Sequence, residues 1–256
     1  VETDVVSDPF RIDPIKGAYI ASFGPKGYGK SEFITRYTIA YPFNGLLMDL
    51  TTDVDPQHHF TRPITQELHY LASELEGLKG KSLEGLDEFR AKVREAWMPE
   101  GRPVKYRYVP QFHQDGWLER SDLYIGLAYL VGRVFIHLDE IDDEAPVNNT
   151  PRWTRLALRL GRHEQLSMGM AGPRPSEISP LVLNQADLVT IHGQLHELDV
   201  KRMAKQLHLK DAELLGLIEG LQSEDRDGVV VHEYIAFVKR TRELLIMPPL
   251  PPRAAP

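Results

Sequence analysis

The stretch Gly24-Pro25-Lys26-Gly27-Tyr28-Gly29-Lys30-Ser31 follows the apolar run Ala18–Phe23 and satisfies G-x-x-x-x-G-K-[ST] at every required position. That order predicts a strand, a glycine-rich turn and a helix starting near Ser31. Gly24, Gly27 and Gly29 admit backbone conformations that a Cβ would block, so several N–H groups can converge on phosphate oxygens. The helix N-terminus adds about half a positive charge at the same place. In this reading Gly24, Pro25, Lys26, Gly27, Tyr28 and Gly29 form the cradle of a nucleoside triphosphate. Lys30 reaches its β- and γ-phosphates, and the Ser31 hydroxyl ligates Mg²⁺.

A second apolar run, Val134-Phe135-Ile136-His137-Leu138, ends in Asp139-Glu140. A carboxylate at the end of such a strand can hold Mg²⁺ beside Ser31, which assigns Asp139 to the metal. An acid directly after it can hold and deprotonate an attacking water, which assigns Glu140 to hydrolysis. The competing reading is a solvated acidic loop, because Asp142, Asp143 and Glu144 follow at once. His137, set among apolar residues, reads as a packing residue.

The chain has 256 residues, a formal net charge of −7 and no cysteine, which excludes disulfides, thiol catalysis and cysteine-ligated zinc. An acidic balance argues against a surface uniformly basic for nucleic acid, yet leaves room for a local basic stripe. No apolar run approaches the ~18 residues of a membrane span and no signal peptide is visible, so a non-spanning, intracellular protein is expected.

Residues 1–17 read as an irregular arm, 18–247 as one ATPase domain with a variable helical insertion at 64–130, and 248–256 as a proline-rich tail. Strands are expected at 18–23, 45–49, 104–109, 134–138, 166–171 and 188–191, and residues 51–63 as a loop. Helices are expected at 31–41, 64–78, 83–98, 118–132, 150–160, 199–207 and 211–221. Thr150 reads as the cap of the helix that Gly161 stops, and an Asp precedes each of the last two helices. Val229–Val231 and Leu244–Met247 are expected to pair. Strands separated by helices imply a mostly parallel sheet with helices on both faces.

Gly161-Arg162-His163-Glu164, Gly172-Pro173-Arg174-Pro175-Ser176-Glu177-Ile178, Val182-Leu183-Asn184-Gln185-Ala186-Asp187 and Ile191-His192 together resemble the FtsK–HerA superfamily of DNA-pumping ATPases. The resemblance covers roughly 18–60 and 130–235, and the short length looks most like the compact viral genome-packaging branch. It implies a P-loop NTPase fold of the RecA/ASCE-like kind, with ATP and Mg²⁺ as cofactors. It further implies double-stranded DNA as a partner, a ring of copies (a hexamer), docking on a capsid or membrane portal component, and a place in the host cytoplasm or the virion. Relatives of similar core are HerA-type and conjugation ATPases. By the same resemblance Arg162 and Arg174 are the arginines best positioned to reach a neighbour's γ-phosphate. One departure stands out. Where the family commonly has Thr-Gln before Arg-Pro, this chain has Gly172-Pro173, leaving Gln165, Asn184 or Gln185 as substitutes for the missing polar group.

Arg152, Arg155, Arg159 and Arg162 fall on one helix face, either as a plain solvated surface or as a source of a trans-acting arginine. Lys79, Lys81, Arg90, Lys92, Arg94, Arg102, Lys105 and Arg107 make the middle locally basic, but no pore residue can be named. His58, His59 and His113 lack metal-ligand spacing and read as surface residues. Tyr106, Tyr108, Phe112 and Trp117 fit core packing better than base stacking, and Asp49 reads either as near the nucleotide or as a loop cap. Two rivals remain: a small-molecule kinase, which shares the phosphate loop, and a non-catalytic, ATP-gated assembly protein, which Gly172-Pro173 favours. A GTPase is disfavoured by the lack of Asn-Lys-x-Asp.

Overall fold

Tyr19–Phe23 carries no charge and forms β1, with all five residues buried. Such a run must be covered on both faces, which places it inside a parallel sheet. The computed structural model describes residues 16–49, 62–78, 83–110, 114–226 and 229–251. The arm, most of the 51–63 loop, Lys79, Lys81, Phe112, His113, His58, His59 and the end of the tail lie outside these residues. In chain order the sheet contains β1, β2 (Asn44–Met48), β3 (Arg62–Pro63), β4 (Lys105–Tyr108), β5 (Val134–Leu138), β6 (Ser167–Gly172), β7 (Leu188–His192), β10 (Tyr234–Val238) and β11 (Glu243–Met247). A separate antiparallel hairpin joins β8 (Ser223–Arg226) to β9 (Val229–His232).

The nine strands lie in the order β11-β10-β7-β1-β6-β5-β2-β4-β3. β1 pairs in parallel with β6 and β7, and β5 with β6 and β2. β10 and β11 close one edge antiparallel. The expected pairing of Val229–Val231 with Leu244–Met247 is therefore corrected. The first pairs with β8 and the second with Tyr234–Val238, a fully buried apolar run that the sequence reading passed over.

The helices are α1 (Lys30–Ala40), α2 (Gln66–Gly77), α3 (Asp87–Trp97), α4 (Trp117–Val131), α5 (Ile141–Glu144), α6 (Arg152–Leu160), α7 (Pro180–Gln185), α8 (Glu197–Leu207) and α9 (Asp211–Glu219). Strand alternation splits the core in two. Tyr19, Ala21 and Phe23 face a large cluster with α2–α4 and α6–α9, while Ile20 meets Phe33 and Ile34 of α1 on the other face. Tyr106 is buried edge-on against Trp97, a packing role. The described part of the tail runs beside α1, where Leu250 comes within 3.8 Å of the position a Cβ on Gly29 would take.

Three caps differ from expectation. Thr150 does not cap α6; its hydroxyl donates to the Pro146 carbonyl instead. The first turn of α6 is capped from α4, where Asp122 accepts from Trp153 N (2.9 Å), Thr154 N (2.7 Å) and Thr154 Oγ1 (2.8 Å). Gly161 does stop α6 as expected, but in right-handed conformation; a Cβ there would sit 2.6 Å from Tyr19 Oη, so close packing accounts for the glycine. Asp199 lies inside the first turn of α8, whose cap is His196, and Lys210 takes the cap position of α9.

Asp122→Ala leaves two buried N–H groups without their acceptor. It is expected to cost about 3 kcal/mol, with Asp122→Asn milder, as read from urea denaturation.

Candidate active site

The loop after β1 begins with an enforced glycine. Gly24 has φ +146°, and a Cβ on it would sit 1.9 Å from the His192 carbonyl oxygen at the end of β7. Gly27 and Gly29 have φ +87° and +91°, and the Cβ position of Gly27 is open space. Gly29 is the left-handed residue from which α1 departs. The loop is braced on its outer side, where the Tyr28 ring stacks on His232 of β9 at 4.1 Å. His192 in turn stacks on Tyr234 at 4.8 Å and is linked through Thr190 to Ser22. Burial and the nearby Lys30 charge push the His192 imidazole down to about 3, so it is neutral.

Lys30 opens α1, is buried, and donates from Nζ to the Pro25 carbonyl at 3.1 Å. Burial lowers its pKa, and the carboxylates of Glu140, Asp139 and Asp142 oppose that shift. The structure thus brings the loop's lysine together with the acids at the end of β5. Asp139 is buried, 3.9 Å from His137 Nε2. His137 lies on the α1 face with Thr38 Oγ1 at 3.5 Å; burial, opposed by the Asp139 charge, pushes its ring down to about 4. Glu140 is half-buried. Burial, then Asp142 and Asp139, raise its carboxyl to about 7, with Lys30 acting in the opposite direction.

The acids after Glu140 are not a uniformly solvated loop. They form α5, in which Asp143 is exposed, Asp142 half-buried and Glu144 fully buried. Asp142 is the neighbour that the sequence reading missed. Its Oδ1 lies 3.2 Å from where a Cβ on Gly172 would be, at the end of β6, and burial raises its carboxyl to about 6. Ile141 comes within 2.9 Å of the same point, so a side chain at position 172 would collide with α5. The only sequence signal for Asp142 was its closeness to Asp139-Glu140.

These donors suit a Mg²⁺-bound triphosphate. The loop offers an open hollow beside a buried ammonium, and the adjoining carboxylates would repel a bare polyphosphate unless a divalent cation lay between them. Ser31 and Asp139 are the oxygen donors that could hold that ion. Asp49 is buried at the end of β2 and is ion-paired with Arg107, Nε to Oδ2 2.7 Å. A cavity of about 450 Å³ at the opposite end of the sheet, lined by Tyr41, Phe43 and Lys105 among others, is separate from this site.

No family model matches the sequence, and no curated protein matches it. Solved structures do. The genome packaging NTPase B204 from Sulfolobus turreted icosahedral virus 2, in complex with AMP, superposes with a TM-score of 0.63 at 16% identity, covering 93% of this chain and 100% of that one. B204 from Sulfolobus turreted icosahedral virus, a DNA-packaging ATPase, gives 0.60 at 14%, covering 91% and 98%. The plasmid coupling protein TrwB, in complex with a non-hydrolysable GTP analogue, gives 0.52 at 10%, covering 92% and 86%. The likeness shows that this chain shares the fold of these proteins.

On this fold the two arginines singled out from sequence lie at opposite ends of β6. Arg174 follows the end nearest the phosphate loop, with Glu177 at 2.8 Å and the buried Asp199 at 3.5 Å. Arg162 precedes the other end; it lies over the Tyr19 ring at 4.7 Å and reaches Asp187 at 3.0 Å. Gln165, Asn184 and Gln185 are also at that far end. Gln165 precedes β6 and accepts from Arg133, Asn184 accepts from Gln206, and the Gln185 carbonyl accepts from Arg162. None of the three reaches the position beside Gly172-Pro173.

Glu144 generates a stability prediction. Burial, then Asp122 and Asp143, raise its carboxyl to about 8. The native chain therefore holds a proton that the unfolded chain releases above about pH 4.5. Its contribution is complete below that value and is lost as pH rises through about 8. Glu144→Gln should raise the melting temperature by about 4 °C or more near pH 8.5 and leave it nearly unchanged near pH 4.5.

Proposed function

We propose that this chain is an ATP-hydrolysing motor that moves double-stranded DNA, acting as a ring of copies in packaging a viral genome. The observation that carries the hydrolytic reading is Glu140. It is a half-buried carboxyl raised to about 7, directly after a buried Asp139 and within the field of the loop lysine. A base so tuned accepts a proton from water near neutral pH. As the water oxygen bonds to the γ-phosphorus and the bond to the β-phosphate oxygen breaks, the water proton passes to Glu140, leaving ADP and phosphate. Lys30 offsets charge on the transferred group, and Mg²⁺ between Ser31 and Asp139 would supply further charge neutralisation. Similarity to the B204 packaging NTPases and to TrwB supports a DNA substrate for this reading.

Arg162 supports the ring. It stands beyond the start of β1, whose five residues span roughly 13 Å, so it cannot reach the loop of its own copy. A role on the γ-phosphate therefore requires a neighbour. Its ion pair with Asp187 is partly exposed and readily exchanged for a phosphate. One observation favours the assembly-protein reading instead: α5 closes against Gly172, where a phosphate-sensing side chain is absent.

Glu140→Gln is expected to keep ATP binding and to lose turnover by about 10²-fold or more. In the parent, kcat/KM should fall about tenfold per pH unit below about 7, because the base must be deprotonated. Turnover should rise on adding duplex DNA. Binding without any turnover would leave the assembly-protein reading.

A mixing experiment tests the ring. Arg162→Ala and Glu140→Gln should each be inactive alone, while a mixture should regain activity at about a quarter of its interfaces, where an intact Glu140 meets a neighbour's Arg162. No recovery on mixing would rule out action between copies.

A further inference from the structure

We infer that the cleft between α6 and α7 grips the phosphate backbone of double-stranded DNA, with Arg155 and Arg159 as its cations. This rests on the motor reading and adds the surface through which such a motor would hold its track.

The cleft has a volume of about 380 Å³ and is lined by Asn148, Asn149, Thr150, Arg155, Arg159 and Ser179, with Val147 and Leu181 completing it. No acid lines it, although the chain as a whole carries −7. Arg155 and Arg159 are exposed and form no ion pair among the described residues. By contrast Arg90, Arg107, Arg162, Arg174 and Arg226 are each held by a carboxylate. Arginine beside amide and hydroxyl side chains is the donor set that bonds phosphate oxygens. The two arginines sit one helical turn apart, about 6 Å along α6, within reach of phosphates spaced about 3.4 Å along the axis of one strand. A single-stranded track calls for aromatic platforms. No aromatic lines this cleft, which favours the duplex backbone.

The cleft is also wired to the nucleotide site. One wall leaves α5, directly after Asp139-Glu140, and the other leaves β6, whose Gly172 carbonyl accepts from Gly24 N at 3.4 Å. The two walls are tied as a short antiparallel bridge between Pro146 and Ile178. Val147 N donates to the Glu177 carbonyl at 3.1 Å, and Ser179 N to the Ala145 carbonyl at 2.7 Å. Arg202 of α8 holds the second wall by donating to the Ser176 and Ile178 carbonyls, at 2.9 and 2.7 Å. A shift at the ends of β5 and β6 therefore reaches the cleft through a few hydrogen-bonded residues.

The test is fluorescence anisotropy of a fluorescein-labelled duplex, with a non-hydrolysable ATP analogue, at several salt concentrations. Arg155→Ala/Arg159→Ala should weaken binding about tenfold or more, and should reduce the slope of log affinity against log salt by about 2. Arg155→Lys/Arg159→Lys should recover most of the loss. Lys205→Gln/Lys210→Gln, which removes the same charge from exposed positions elsewhere, should change affinity by less than about twofold. Melting curves check that each variant is folded. Unchanged duplex binding by the double alanine variant overturns this inference and leaves the motor reading standing, as does an equal loss in the Lys205/Lys210 variant. Failure of the parent chain to bind duplex in any nucleotide state overturns both.

Discussion

One strand, β6, stands between the strand that feeds the phosphate loop and the strand that ends in Asp139-Glu140. At about 4.8 Å per neighbour, this holds the two ends roughly 10 Å apart. That gap gives the site its form. With β5 directly beside β1, Asp139 and Glu140 would lie one strand spacing nearer the loop. Because the order is set by hydrogen-bonded parallel pairs at β1–β6 and β5–β6, the spacing belongs to the core and not to the loops. Gly169, in the middle of β6, shows how tightly that core is drawn in, since a Cβ there would come within 2.3 Å of Ile34 on α1.

Across this gap the charges constrain one another. Burial works against the ammonium of Lys30 and against the carboxyls of Glu140 and Asp142 at once, and each is eased by the opposite charge of the others. The acids outnumber the lysine, so the pocket's balance favours a partner that brings both an anion and a divalent cation. Burial, reinforced by this excess through Asp142 and Asp139, raises the Glu140 carboxyl to about 7, while Lys30 acts in the opposite direction. Solvating α5 would remove the burial that raises these carboxyls and with it the tuning of the base.

The phosphate loop, its strand, and the strand closing on Asp139-Glu140 were legible because each is a contiguous signal, a spacing or an apolar run. The parts that escaped depend on contacts between distant segments. Tyr234–Val238 is as apolar as any buried strand, but its place at the antiparallel edge is decided by β7, far away in sequence. The cap of α6 came from Asp122 on α4, and no local pattern at Thr150-Pro151 could reveal that. Glu144 looked like one more solvated acid. Only the packing of α4 against α5 makes it buried and protonated. Gly172 read as a departure from a pattern, whereas the structure supplies a steric reason for it in Ile141 and Asp142.

The end of the strands away from the loop gathers Lys105, Arg133, Arg162 and Lys239, with Glu164 and Asp187 among them. That far end contains unusual backbone. Arg133 and Gln165, just before β5 and β6, both have positive φ, at 50° and 56°, which costs a residue with a side chain roughly 1 kcal/mol. They are held there by Arg133 N donating to the Glu164 carbonyl and by Arg133 Nε donating to Gln165. Strain kept at an exposed edge and fixed by hydrogen bonds implies that the edge has a shape to maintain.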